Sequence, residues 1–158
     1  MLDQKIDTIL MAMFPIGELR TSIPIAIHLL KLNWFDAFMY SLFGNSLIAL
    51  ILVYVIYYIT MDRIKKIFSK IPFVGLVFNK WENSSIKKSK KIENWGYAGL
   101  AIFVSIPLPI TGAWTAVLIA SILELKPLKS FISITAGLFV SGSIITYLSI
   151  YLPNLLGY

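Results

Sequence analysis

The chain has 158 residues, 58% of them hydrophobic and 14% charged, with 14 Lys and Arg, 8 Asp and Glu, one His and no Cys. A water-soluble domain carries about 25% charged residues, so this chain has too few charges to cover its own surface and is expected to fold in lipid. Without cysteine there is no disulfide framework, thiolate metal site or cysteine nucleophile, and one histidine with no acidic cluster argues against a metal centre.

The opening Leu2-Asp-Gln-Lys-Ile-Asp7 is not the positive leader of a signal peptide. Residues 8–30 form an apolar segment interrupted by Pro15, Gly17, Glu18, Arg20 and Pro24. Proline removes a helix donor and clashes one turn back, so this segment is predicted to be broken. Residues 37–61 are 25 uncharged residues without proline, and read as a spanning helix. A polar notch, Gly44-Asn45-Ser46, lies inside it, with Asn45 the expected interhelical hydrogen bonder.

Residues 62–93 hold nine cations against three anions, so the whole net charge of +6 resides there. Ile64, Ile67, Phe68 and Ile71 fall at helical spacing among Arg63, Lys65, Lys66 and Lys70, and Pro72 stops the run. The positive-inside rule places this amphipathic segment in the cytoplasm, against the anionic leaflet. The same rule accounts for Lys87, Lys88, Lys90 and Lys91 without nucleic acid.

Residues 94–123 are the second broken segment, with Pro107, Pro109 and Gly112 near its middle. Residues 130–152 read as a second spanning helix, on which Ser133, Gly137 and Ser141 make a small-residue packing face. Trp34, Trp81 and Trp95 sit at the ends of apolar runs, as interfacial anchors do, whereas Trp114 does not. His28 is read as interfacial.

The order is broken, straight, basic, broken, straight. An offset of 93 residues aligns Leu32 with Leu125, Phe38 with Phe131 and Gly44 with Gly137. Short interrupted segments in matching positions of two halves point to a transporter site, because irregular backbone is not tolerated against lipid. Two topologies compete. Re-entrant hairpins make the halves inverted repeats with charges of +7 inside and −1 outside; four full spans make them parallel, with +5 inside and +1 outside. Charge favours the hairpins. The expected fold is therefore an all-α integral membrane protein, one domain over residues 1–158, multi-pass in the plasma or inner membrane. It comprises two inverted repeats, each a re-entrant hairpin followed by a spanning helix.

Glu18 and Arg20 are the charges inside the predicted membrane segments. Such residues persist where they line a polar path or neutralise one another. Extended backbone around Pro15, Gly17 and Pro24 would put them on one side; an ion pair or snorkelling side chains are the plainer reading. In the second break, half-helix N-termini would present N–H groups that suit an anion. Candidate substrate- or ion-binding residues are Glu18, Arg20, Pro15, Pro24, Asn45, Pro107, Pro109, Thr111, Gly112, Trp114 and Thr115. No nucleophile–base pair, phosphate loop or zinc-ligand spacing appears, so no enzyme activity and no cofactor are expected.

Pro15-Ile-Gly-Glu-Leu-Arg-Thr-Ser-Ile-Pro24 and Pro107-Leu-Pro-Ile-Thr-Gly-Ala-Trp-Thr115, followed by Leu118-Ile-Ala120, resemble the two signature stretches of the putative small multidrug export protein family. The pattern is also similar to that of the DedA superfamily (the VTT domain), which implies two facing re-entrant hairpins and lipid translocation. Glu18 would correspond to the acidic residue of the first DedA hairpin; the arginines of the second have no counterpart between Asn94 and Leu123. The expected function is a transporter or lipid translocase for an anionic-headed lipid or small amphiphile, held by Arg20 and half-helix N-termini, with Glu18 coupling protons. The alternatives are an exporter of lipophilic cations using Glu18, or a non-transporting scaffold recruiting partners through the basic segment. A homodimer would bury polar hairpin surface.

Overall fold

The computed structural model describes residues 2–58, 95–108 and 111–155, with side chains as far as Tyr151. The basic segment 62–93, Trp81 and Pro109 lie outside the described residues. The described chain is helical throughout: α1 (Leu2–Met13), α2 (Glu18–His28), α3 (Trp34–Tyr58), α4 (Gly96–Ser105), α5 (Ala113–Ile122) and α6 (Pro127–Leu155). Only α3 and α6, at 25 and 29 residues, are long and apolar enough among these to cross a membrane. The other four have 10 to 12 residues, or about 15–18 Å at 1.5 Å per residue, roughly half a bilayer core.

The first helix starts six residues before the apolar run at position 8. Its polar first turns are held by Lys5, whose ammonium lies 3.7 Å from Asp36 Oδ2 and 5.1 Å from the Tyr40 ring centroid. A hydropathy reading that starts at the first apolar run does not register such anchors. Both long helices likewise begin three residues earlier than their uncharged runs, at Trp34 and Pro127. Asn33 Oδ1 accepts the Asp36 N–H at 2.8 Å, which satisfies one of the orphan donors of the first turn of α3.

Helices α3 and α6 pack against each other and run in opposite directions. Trp34 and Phe35 line a groove with Tyr147 and Tyr151, while Val53 and Tyr57 share a cavity with Pro127 and Ser130. Helix α1 climbs alongside α3 from the Trp34 end, with Lys5 beside Asp36 and Ile9 against Gly44. Helix α2 then returns: Ser22 bonds Ser41 at 2.8 Å, and His28 Nε2 reaches the Ser149 carbonyl at 3.0 Å. The second half does the same from the Tyr58 end. Tyr97 Oη accepts the Lys126 N–H at 3.0 Å, Ala101 and Val104 pack on Gly137, and α5 returns to share the cavity at Pro127.

Several features of the helices recur 93 residues apart. This offset maps the start of α3 at Trp34 onto the start of α6 at Pro127. A Cβ on Gly44 would stand 2.4 Å from the Ile9 carbonyl, and one on Gly137 would stand 2.6 Å from the Ala101 carbonyl. Each glycine thus admits the outer helix of its own half. Lys31 and Glu124, also 93 apart, both hold left-handed backbone at φ 55° and 52°.

Leu19, Ile23, Leu100, Leu118, Ile119, Ile134 and Leu138 form the fully buried core. The outward faces are just as apolar: Phe43, Ile51 and Val55 on α3 and Ile132, Phe139 and Ile144 on α6 are exposed. Water would penalise an apolar surface this extensive; lipid would not. Trp34 and Tyr147 near one end, and Tyr57, Tyr58 and Trp95 near the other, are exposed; aromatic belts have this arrangement.

Candidate functional site

The two interrupted stretches meet halfway along α3. Met13 to Gly17 makes the first turn, where Gly17 adopts φ 100° and Glu18 follows at φ 51°. Positive φ costs a side-chain-bearing residue, so Glu18 holds strained backbone at the point where the chain reverses. Its side chain points into the protein and is 6% exposed.

Glu18 is seated on the other half of the molecule. Its Oε2 accepts the Ala113 N–H at 3.0 Å and an Asn45 Nδ2–H at 3.3 Å, and Oε1 accepts the Trp114 N–H at 3.3 Å. Ala113 and Trp114 are the first two residues of α5, whose cap position Gly112 offers no side-chain acceptor. A helix N-terminus carries orphan N–H groups and a partial positive charge, and a carboxylate satisfies both. Glu18 is therefore the cap of α5, supplied from the opposite half. Gly112 makes room for it, since a Cβ there would overlap the carboxylate at 1.9 Å.

Arg20 reaches the same break by a separate route. It donates from one terminal nitrogen to the Leu108 carbonyl, and from the other to Thr111 Oγ1 at 3.1 Å. Thr111 Oγ1 also accepts the Leu108 N–H at 3.2 Å and lies 2.7 Å from the carbonyls of Ile106 and Leu108. Arg20 and Thr111 thus satisfy backbone groups that the interrupted helix leaves over. Trp114 completes the interlock, its indole N–H donating to the Met13 carbonyl at 3.2 Å. Asn45 is fully buried, with Nδ2 on Glu18 and, among the described residues, no hydrogen-bond partner within reach of Oδ1.

Two sequence expectations change here. Glu18 and Arg20 do not share extended backbone: Glu18 opens α2, Arg20 lies within it, and each turns to its own partner in the second break. The N–H groups expected to receive a substrate anion are occupied by Glu18. The reason is that a buried break must satisfy its own backbone before it can bind anything else. Pro15 and Pro107 lie in the turns, but Pro24 sits inside α2 without ending it. Thr115 is buried in α5, one residue past the Glu18 seat.

Sequence reasoning missed the Ser22–Ser41 pair and the backbone partners Met13, Leu108 and Ala113. The serines were visible as hydroxyls inside apolar runs. The backbone groups left no trace, since every residue has them.

Residues 18–144 match the family described as "Putative small multi-drug export protein". The chain belongs to this family. The matched stretch begins at Glu18 and takes in its partners Asn45, Ala113 and Trp114. No curated protein and no solved structure matches the chain. Family membership and two long apolar helices describe a membrane transporter.

Proposed function

We propose that the chain is a small proton-coupled transporter made of two inverted repeats. Hairpins α1–α2 and α4–α5 enter the membrane from opposite faces and meet near its midplane. Support comes from the opposite run of α3 and α6, from the return of each hairpin to its own end, and from arms of half a bilayer. In this reading the Tyr58 end is cytoplasmic and the lysines of 62–93 rest on anionic lipid.

We infer that the cargo is a lipophilic cation exported in exchange for protons at Glu18. The seat of Glu18 carries this reading. A carboxylate stands where the two hairpins meet, held by N–H groups and an amide rather than by a guanidinium, because Arg20 is committed to Leu108 and Thr111. Its charge is what the α5 N-terminus holds. Adding a proton cancels that charge and loosens α5 from α2; removing it restores the clasp. A cation and a proton then compete for one carboxylate.

A second reading, DedA-like movement of an anionic-headed lipid, is favoured by the same helix N-terminus. Once Glu18 is protonated, a phosphate could take the N–H groups of Ala113 and Trp114. Proteoliposomes separate the two. Proton-driven efflux of ethidium that survives Arg20→Lys and fails in Glu18→Gln supports cation export. Accelerated movement of a phosphate-headed lipid without ethidium efflux would replace it with the lipid reading.

A further inference from the structure

At the Tyr58 end a cavity of about 560 Å³ opens between the last turns of α3 and α5 and the first turn of α6. Its volume is that of a drug-sized site. Among the described residues the walls are apolar at Val53 and Val117, aromatic at Tyr57 and hydroxylated at Ser121 and Ser130, and the carboxylate is Glu124. Val117 lies one helical turn beyond Ala113, the residue that holds Glu18. One wall of the cavity is therefore one turn of α5 from the residue that holds Glu18.

Glu124 occupies an unusual place. It is the left-handed residue after α5, locked by Leu125 N–H to the Ala120 carbonyl at 2.9 Å and by its own N–H to the Ser121 carbonyl at 3.1 Å. Glycine fills this position more readily than any other residue, so local conformation does not explain a glutamate there.

The offset of 93 sets the cavity against its counterpart at the Trp34 end. Ser121 and Ile56, which both line the cavity, correspond to His28 and Ser149. Those two are in hydrogen-bond contact, His28 Nε2 to the Ser149 carbonyl at 3.0 Å. Glu124 corresponds to Lys31, which has the same backbone conformation and the opposite charge. Both ends carry an opening, since Val53, Tyr57 and Pro127 correspond to Thr146, Ile150 and Trp34 of the groove at the other end; the carboxylate of Glu124 on the wall of the first, where Lys31 stands at the equivalent position, distinguishes them.

We propose that the cavity is the entry site for a lipophilic organic monocation, with Glu124 receiving the charge and Tyr57 and the valines holding the apolar body. An aromatic face and one carboxylate among apolar walls select that class. The proposal rests on the export reading for direction only, which makes the Tyr58 end the cytoplasmic mouth; Glu124 receives the charge by direct contact on the cavity wall.

The test is calorimetric binding of tetraphenylphosphonium to the purified full chain, with tetraphenylborate as the anion of the same shape. Glu124→Gly should weaken tetraphenylphosphonium binding by at least about tenfold. The same variant should melt no lower than the intact chain, because glycine suits the backbone there. Glu124→Asp should retain most of the affinity, and Ser121→Trp should abolish it by filling the cavity. Binding within about twofold of intact in Glu124→Gly, or equal affinity for tetraphenylborate, would overturn the site. Ethidium efflux separates this from the export reading. Glu124-dependent binding without efflux keeps the site and removes export; efflux that depends on Glu18 but not Glu124 keeps export and removes the site.

Discussion

Glu18 and Ala113 are 95 residues apart in the chain, and the carboxylate of the first accepts the backbone N–H of the second at 3.0 Å. A helix that begins inside the protein needs an acceptor for its first N–H groups, and this one takes it from a residue 95 positions earlier in the chain. The same contact ties the two halves together and puts an ionisable group at their junction.

Truncation should expose the structural share of that contact. Glu18→Ala leaves the N–H groups of Ala113 and Trp114 and the Asn45 amide without their acceptor in a buried site. A loss of about 2–4 kcal/mol is expected. Glu18→Gln keeps one acceptor oxygen and should lose about half as much. Thermal unfolding in detergent should rank intact above Gln above Ala; an alanine variant as stable as the parent would show that the cap carries no weight.

Gly112→Ala should reproduce the glutamate truncation without touching the glutamate. The new Cβ would overlap Glu18 Oε2 at 1.9 Å, so the carboxylate must leave its seat. The double variant with Glu18→Ala should then be little worse than either single one, a coupling that a double-mutant cycle reads directly. Additive losses would mean that Gly112 serves something other than this seat.

Gly44→Ala and Gly137→Ala should behave alike. Each would drive a Cβ against a backbone carbonyl, of Ile9 and of Ala101 respectively, and backbone gives way less easily than a flexible side chain. A destabilisation of about 1–3 kcal/mol is expected for each. A strongly unequal pair would argue against the equivalence of the two halves.

Lys31→Gly should stabilise the fold by about 0.5–1 kcal/mol, because Lys31 holds φ 55° after α2 and glycine meets no penalty there. The melting temperature should rise; a fall would mean that the lysine side chain makes a contact worth more than the backbone strain.

Topology can be read with single cysteines, since the chain has none of its own. Cysteines at Gln4 and Leu155 should react with an impermeant thiol reagent on intact cells, and one at Ser85 should react only after lysis. Silence at all three before lysis, with labelling afterwards, would replace the proposed re-entrant hairpins with four full spans.

The letters of the chain carry a good part of this architecture. Pro15 with Gly17, and Pro107 with Gly112, locate both interruptions, because proline and glycine act on backbone within a turn of where they stand. The uncharged runs locate α3 and α6, and the pairing of Gly44 with Gly137 marks an offset that the helix starts at Trp34 and Pro127 share. Contacts across the fold are another matter. Glu18 and Arg20 stand out as charges in an apolar segment, and their side-chain partners Asn45 and Thr111 stand out as polar residues, but their backbone partners, a helix N-terminus and a carbonyl, look like any other peptide groups. Neither the capping of α5 from the opposite half nor the contact of His28 with the Ser149 carbonyl could be read before the chain was folded. Hydrogen bonds to backbone depend on which groups the helices leave unpaired and where packing brings them, and a residue's identity records neither.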